Sequence, residues 1–278
     1  MSAKDNGDIF DLDATLFCGQ CFSWDRLPGG GYAGASGDRA LFLCDPSRDL
    51  PRALADPFWR GYFDWDFPYA QARAQFSAMD PILKEAAAFA PGIHILNQDP
   101  WEALCSFIIS QNNNIPRITG IVRRLCRTFG SPLEKSGDWA LFSFPRPERL
   151  ANCTPGDLAP LRCGFRARYL IDAAQKVSSG QVDLERLRTM PLTEAREQLM
   201  QIVGVGVKVA DCALLYGLHR LEVFPMDVWM KRVMARWFAG KNPDCFGPYA
   251  GIAQQYLFHY SRNHPECFTE DEARERVS

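Results

Sequence analysis

No stretch of eighteen consecutive apolar residues occurs in this 278-residue chain, so a membrane-spanning helix is not expected. The opening residues, MSAKDNGDIF, lack the apolar core of a secretory signal. The expectation is a cytoplasmic protein in a reducing compartment, nucleoid-associated if bacterial, with no membrane partner. A cationic excess is missing as well. The 31 Lys and Arg stand against 33 Asp and Glu, a formal net charge of −2. That balance argues against a nonspecific nucleic-acid coat protein but leaves a DNA enzyme open, because the placement of cations decides binding. Only one C-x-x-C is present, Cys18-Gly-Gln-Cys21, with no second pair and no close four-cysteine run. Neither a zinc site nor an iron–sulfur cluster is expected from that spacing. The ten cysteines read as buried thiols rather than disulfides.

What is present is the composition of an ordinary soluble globular protein, 47% hydrophobic and 23% charged. Cations gather at Arg117, Arg123, Arg124 and Arg127, at Arg162, Arg166 and Arg168, and at Lys231, Arg232 and Arg236; a solvated surface explains any one cluster as well. Residues 8 to about 67 read as strands and turns, broken at Pro28-Gly29-Gly30-Gly31 and closed at Asp45-Pro46. Helices follow. Asp80-Pro81 and Asp99-Pro100 each open one, the second with Glu102 at the capping-box position. A long helix carries Ile115, Ile118, Val122, Leu125 and Phe129 inward and stops at Gly130. Another spans about 166 to 178, and Pro248 opens the last. The expected fold class is α+β: a small antiparallel β-rich N-terminal domain, residues 1–92, joined to a mostly helical body, residues 93–278.

The stretch that organises the chain runs from Leu199 to Asp227, LMQIVGVGVKVADCALLYGLHRLEVFPMD. An amphipathic helix ends near Ile202, the chain turns through Gly204-Val205-Gly206, and helical patterning resumes at Lys208. A helix entered through glycines leaves its first N–H groups unpaired at its positive end, a ready phosphate site. Lys208 lies in the first turn, Cys212 one turn later, and Asp227 precedes an apolar-periodic run as an N-cap. Taken singly, each feature has a plain reading. A lysine opening a helix is usually a surface cation, Gly19 a bulge or turn glycine, Phe258 a core aromatic, and Gln111-Asn112-Asn113-Asn114 a polar loop.

Together these residues resemble the 8-oxoguanine DNA glycosylases of the helix–hairpin–helix superfamily. G-V-G-x-K-V-A-D-C followed by V-F-P-M-D-V resembles that family's hairpin and catalytic segment, LFCGQCFSW its G-Q-x-F-x-W signature, and SFIISQNNNIPRITG its S-N-N-N-I-x-R-I-T-G segment. The resemblance spans roughly residues 9 to 260. It implies a bifunctional glycosylase and lyase that acts on 8-oxoguanine opposite cytosine by base flipping, a lysine Schiff base and β-elimination. On that reading Lys208 is the nucleophile and Asp227 the electrostatic partner. Gly19, Cys212, Gln254 and Phe258 meet the lesion, and Asn112, Arg117, Phe165 and Arg166 meet the opposite base. Gly204, Gly206 and Val209 bind the DNA backbone. The partner implied is double-stranded DNA containing oxidised guanine, bound by a monomer with no metal and no cofactor. Departures exist: Phe165 stands where the family has a tyrosine, Trp229 where a histidine is expected, and Gln111 and Pro116 also differ. Two alternatives remain open, a glycosylase of the same fold for another damaged base and a noncatalytic DNA-binding module.

Overall fold

The computed structural model describes residues 2–3 and 8–268, and they divide into two compact units. Of the described residues, one unit takes those up to 18, 67–95 and 221–268, and the other 19–66 and 96–220. The units are interleaved along the chain, a different division from the single cut after residue 92 that composition suggests. The fold is α+β, with three small antiparallel sheets among the described residues and a mostly helical remainder. Among the described residues no helix is long and apolar enough to cross a membrane.

In the 19–66/96–220 unit, Trp24–Arg26, Tyr32–Ser36 and Arg39–Leu43 pair in sequence order, with Trp24 opposite Gly34 and Ala35 opposite Ala40. The Trp24 ring lies flat on Gly34, where a Cβ would sit 2.2 Å from it. Its indole Nε1–H donates to Tyr62 Oη at 2.8 Å, and Trp59 and Phe63 complete the cluster. The reading of 8 to about 67 as strands is corrected here. Helices occupy Pro46–Ala53 and Pro57–Tyr62 in this unit, and Leu12–Phe17 in the other. Asp45 and Asp56 each accept a backbone N–H two residues on, and the following proline sits in the first turn, where its missing N–H costs nothing. Thus Asp45-Pro46 opens a helix as Asp80-Pro81 and Asp99-Pro100 do.

The helix Pro100–Ser110 is buried all round from Trp101 to Ile109. It packs on Val207–Leu218, and Gly217 permits the approach: a Cβ there would lie 2.9 Å from both the Ala103 Cβ and the Pro100 Cα. The helix Ile115–Phe129 ends at Gly130, as expected, but not through a left-handed residue. A Cβ at Gly130 would fall 2.0 Å from the Ser143 carbonyl oxygen, so close chain approach demands the glycine. Ser143 lies just past an unexpected hairpin, Pro132–Ser136 with Trp139–Phe142.

In the other unit, Ser2–Ala3 pairs with Ile9–Phe10. Asp8, buried, accepts from the backbone of Ile9 and Ala70 and pairs with Arg73 at 2.6 Å. Burial alone would raise its carboxyl; Arg73 and the two N–H donors more than offset that and hold it below the usual range. Val228–Trp237 packs on Ala250–Asn263, which also packs on Pro81–Phe89. A 3-10 segment, Pro243–Tyr249, precedes Ala250–Asn263, so Pro248 stands before the final α-helix rather than opening it.

Glu102 completes only half of the expected capping box. Its N–H donates to Asp99 Oδ1 at 2.9 Å, but its carboxyl is buried and takes the Ser23 hydroxyl and the Gly37 N–H instead. Burial pushes that carboxyl up to about 8 despite the Ser23 donor; Asp99 adds to the rise and Gly37 opposes it. From about 4.5, the ordinary value, to about 8, the folded chain keeps a proton that the unfolded chain has lost. Stability through this group therefore falls as pH rises across that window and is level above it, with a limiting slope of about 1.4 kcal/mol per pH unit. Glu102→Gln mimics the protonated form. Urea denaturation at pH 5, 6.5 and 8 is expected to show the variant gaining on the unmodified protein as pH rises; a constant difference would contradict the assignment.

Candidate active site

The hairpin is held from behind. Gly204 has φ +79°, and a Cβ there would sit 2.4 Å from the Tyr169 ring, so any side chain is both strained and blocked. Tyr169 belongs to Arg166–Ser178, and the same helix supplies Asp172, whose Oδ2 accepts the Val203 N–H at 2.7 Å. Lys176 Nζ joins Asp172 to the Gln201 carbonyl, both at 2.7 Å. The helices flanking the turn, Leu192–Met200 and Val207–Leu218, are tied by Arg196 Nε donating to Asp211 Oδ1 at 2.6 Å. Burial raises the Asp211 carboxyl, and Arg196 opposes the rise. Gly206 is the N-cap of Val207–Leu218 and offers no side-chain cap, so the opening N–H groups of that helix have no capping side chain. Val203 and Val207 flank them at 53% and 51% exposure, while Val209 is buried.

Lys208 is the second residue of that helix and half-buried. Its Nζ stands 5.2 Å from the centre of the Phe107 ring and 3.4 Å from Ser110 Oγ. Ser110 in turn donates to the Phe107 carbonyl. Cys212, one turn on, is buried. Neither Phe107 nor Ser110 was expected from the sequence; the signal was their place on the last turn of a helix leading into the asparagines. Gly19 has φ +95°, a conformation that favours glycine.

Side chains of the Gln111–Asn114 turn bond to the backbone of the helices on either side. Gln111 Nε2 donates to the Ile108 carbonyl, Asn113 Nδ2 to that of Ile109, and Asn114 Oδ1 caps Arg117 N–H at 3.0 Å. Asn112 has φ +47° and an exposed side chain. Arg117 is exposed one turn along Ile115–Phe129. Arg166 is buried, with its guanidinium on the carbonyls of Gln111, Asn112 and Cys163. Burial, with Arg117 nearby, lowers its guanidinium pKa. Phe165 is 53% exposed, with the Arg166 guanidinium 4.5 Å from its ring centre. Other members of the expected cation clusters are engaged: Arg123 pairs with Asp25, and Arg124 holds the Leu161 carbonyl.

Asp227, Gln254 and Phe258 lie in the other unit. Asp227 is the N-cap of Val228–Trp237 and accepts the Met230 N–H at 2.8 Å. Gln254 is buried and Phe258 half-buried on the same face of Ala250–Asn263, with the Arg262 guanidinium 5.4 Å from the Phe258 ring centre. Trp229 is half-buried beside Phe268 and Arg232. All ten cysteines are free thiols, with Cys44 and Cys245 exposed. A separate cavity of about 330 Å³, lined by Phe22, Glu102, Val122, Cys126, Leu141 and Phe144 among others, contains none of the expected site residues.

Residues 105–244 match the family described as HhH-GPD superfamily base excision DNA repair protein, and residues 3–104 match the 8-oxoguanine DNA glycosylase N-terminal domain. The chain belongs to the HhH-GPD superfamily of base excision DNA repair proteins. This HhH-GPD chain is 33% identical to the Clostridium acetobutylicum 8-oxoguanine glycosylase/lyase, solved with double-stranded DNA containing cytosine opposite 8-oxoG; the TM-score is 0.85 and 94% of each chain is covered. It is 40% identical to MBOgg1, solved with a low-affinity DNA ligand, at a TM-score of 0.82 over 91% of this chain and 92% of that one. The Saccharomyces cerevisiae N-glycosylase/DNA lyase is 40% identical over 177 residues, 58% of this chain. The HhH-GPD chain spans only about half of that relative's length, 47%.

The hairpin geometry sets a stability test. Gly204→Ala forces a side chain into the left-handed region and onto the Tyr169 ring, and is expected to destabilise by about 2 kcal/mol or more. Gly206→Ser meets nothing within 4 Å and adds a preferred N-cap hydroxyl. It is expected to stay within about 0.5 kcal/mol of the unmodified protein. Thermal midpoints of the two variants check both values.

Proposed function

We propose that this HhH-GPD protein is a bifunctional DNA glycosylase and abasic-site lyase that excises 8-oxoguanine opposite cytosine from duplex DNA, acting as a monomer. The observation that carries the reading is Lys208. It is a primary amine in the first turn of a helix whose N–H groups are left uncapped by Gly206, backed by the Phe107 ring and the Ser110 hydroxyl. Near-full-length likeness to an 8-oxoguanine glycosylase/lyase supports the substrate class.

In this reading the damaged nucleotide leaves the stack, at a cost of about a few kcal/mol. The Lys208 amine, neutral at that moment, bonds to the sugar C1′ while the glycosidic C1′–N9 bond breaks and its electron pair leaves with the base, which then takes a proton. Opening of the sugar ring moves the C1′–O4′ electron pair to O4′, which is protonated, and leaves a Schiff base between C1′ and Nζ. Loss of a C2′ proton then expels the 3′ phosphate and cuts the strand. The carboxylate of Asp227 would stabilise the positive charge that develops on the sugar. Gly19, Cys212, Gln254 and Phe258 would receive the lesion, with Phe258 as a stacking face. Asn112, Arg117 and Arg166 would meet the orphaned cytosine, and Phe165, exposed, would press against the neighbouring base pair. The N–H groups after Gly204 and Gly206, through Val209, would hold a DNA phosphate.

Borohydride trapping tests the nucleophile. The unmodified protein is expected to give a covalent adduct with a duplex containing 8-oxoguanine, whereas Lys208→Gln binds that duplex but neither releases the base nor traps. An adduct in the variant would remove Lys208 from the role.

The opposite base gives a second measurement. Unpaired cytosine offers O2 and N3 as acceptors suited to a guanidinium, whereas adenine is larger and presents a competing N6 donor. A donor buried in the complex without an acceptor costs roughly 1–3 kcal/mol, and more when it is charged. Single-turnover excision is therefore expected to run at least about tenfold faster opposite cytosine than opposite adenine. Arg117→Ala is expected to slow the cytosine substrate and narrow the gap. Equal rates for all four pairs in the unmodified protein would overturn the arginine reading.

A further inference from the structure

We propose that Asp172 is a positioning residue for DNA binding. Its carboxylate holds the hairpin turn so that the N–H groups after Gly206 are offered to a DNA phosphate, and removing this negative charge weakens the duplex complex. This inference rests on the glycosylase reading above and deepens it.

One face of Arg166–Ser178 is given over to the hairpin. Tyr169, Asp172 and Lys176 fall at i, i+3 and i+7, the spacing that stacks side chains on one side of a helix. Tyr169 lies behind Gly204, where a Cβ would sit 2.4 Å from its ring. Asp172 Oδ2 accepts the Val203 N–H at 2.7 Å. Lys176 Nζ donates to both Asp172 oxygens, at 2.9 and 2.7 Å, and to the Gln201 carbonyl at 2.7 Å. The pair is largely withdrawn from water, with the lysine side chain 18% and the aspartate 25% exposed.

Each contact meets a need of the backbone. The helix Leu192–Met200 has no basic residue in its last turn, although its closing carbonyls carry the negative end of the helix dipole. Lys176 brings a cation there from a neighbouring helix. Val203 lies between that helix end and Gly204, whose φ of +79° turns the chain. The Gln201 carbonyl, the Val203 N–H and the bare face of Gly204 are thus held within four consecutive residues, which fixes the plane of the turn. Val207–Leu218 begins three residues after Gly204, so the same brace sets the direction of its uncapped N–H groups. The sign of the charge makes this informative. DNA is a polyanion, and a carboxylate beside it ordinarily weakens binding, so that its removal tightens the complex. Asp172 carries the opposite expectation, because Lys176 already meets its charge and Val203 needs its oxygen.

The test is the dissociation constant for a duplex containing 8-oxoguanine, measured for the unmodified protein, Asp172→Ala and Asp172→Asn in one buffer. Both substitutions remove the same charge, but asparagine keeps an oxygen acceptor for Val203. Asp172→Ala is expected to bind about tenfold more weakly, and Asp172→Asn to stay within about threefold of the unmodified protein. In single-turnover excision the loss is expected in the half-saturating protein concentration, with at most about a twofold change in the plateau rate. Tighter or unchanged binding by Asp172→Ala would overturn the proposal. So would equal losses in the two variants, which assign the effect to the ion pair, or a loss confined to the plateau rate. Amide hydrogen exchange at Val203, followed by NMR without DNA, gives a second readout. It is expected to speed up in Asp172→Ala and to stay near the unmodified rate in Asp172→Asn; equal protection in all three proteins counts against the contact. If the unmodified protein binds the duplex but excises nothing, the function reading fails while the affinities still decide the brace.

Discussion

The contact on which the candidate site depends is the close pass of Pro100–Ser110 against Val207–Leu218, possible because Gly217 presents no side chain to Pro100 and Ala103. Tight packing of two helices fixes their register, since interdigitated side chains leave no room to slide. That register sets the Lys208 amine over the Phe107 ring and beside Ser110. The same buried helix runs directly into Gln111 and the asparagine turn. One rigid element therefore sets both the amine and the amide finger, and neither relies on a long mobile loop for its position.

Charge inside this unit is used for construction more than for display. Arg196 ties the two hairpin helices through Asp211, Lys176 and Asp172 brace the turn before Gly204, and Arg166 holds three carbonyls. Arg166 and Asp211 are buried and the others half-buried; charges withdrawn from water are costly unless hydrogen-bonded, and once bonded they define one arrangement among many. It follows that a near-neutral net charge says little about the DNA-facing surface. Several arginines that look like a basic patch in the sequence, Arg123, Arg124 and Arg166 among them, are engaged by carboxylates or carbonyls of the protein itself.

Much of this was legible beforehand where local chemistry decides the outcome. The helix starts at Pro81 and Pro100, the helix over 166–178 and the capping role of Asp227 all follow from residues adjacent in sequence. The errors have the same root. Asp45-Pro46 and Asp56-Pro57 carried the same helix-start signal, but the first follows an apolar strand and reads equally as the turn that closes it. The 132–142 hairpin turns at Gly137-Asp138, a recognisable pair between two strands, yet its first strand is polar and largely exposed, so no apolar alternation marked it. Long-range facts were illegible: that Glu102 turns to Ser23 and Gly37, that Gly130 yields to Ser143, and that Arg166 faces its own backbone. Each depends on a partner distant in sequence, which no local pattern encodes.

The interleaving of the two units bears on how the chain is made. Residues 8–18 and 67–95 share their unit with residues 221–268, and Phe76 ends buried against the Tyr256 ring. Ribosomal synthesis at about 5–20 residues per second separates these partners by roughly ten to forty seconds. During that interval Phe10, Leu16 and Phe76 have emerged while part of their packing surface does not yet exist. The other unit, whose last segment ends at Arg220, has all its residues earlier and can close first. The unit that carries Asp227 and Phe258 is thus the last to assemble. A chain halted near residue 220 would hold Lys208 in place while leaving an uncovered apolar surface for chaperones and proteases to recognise.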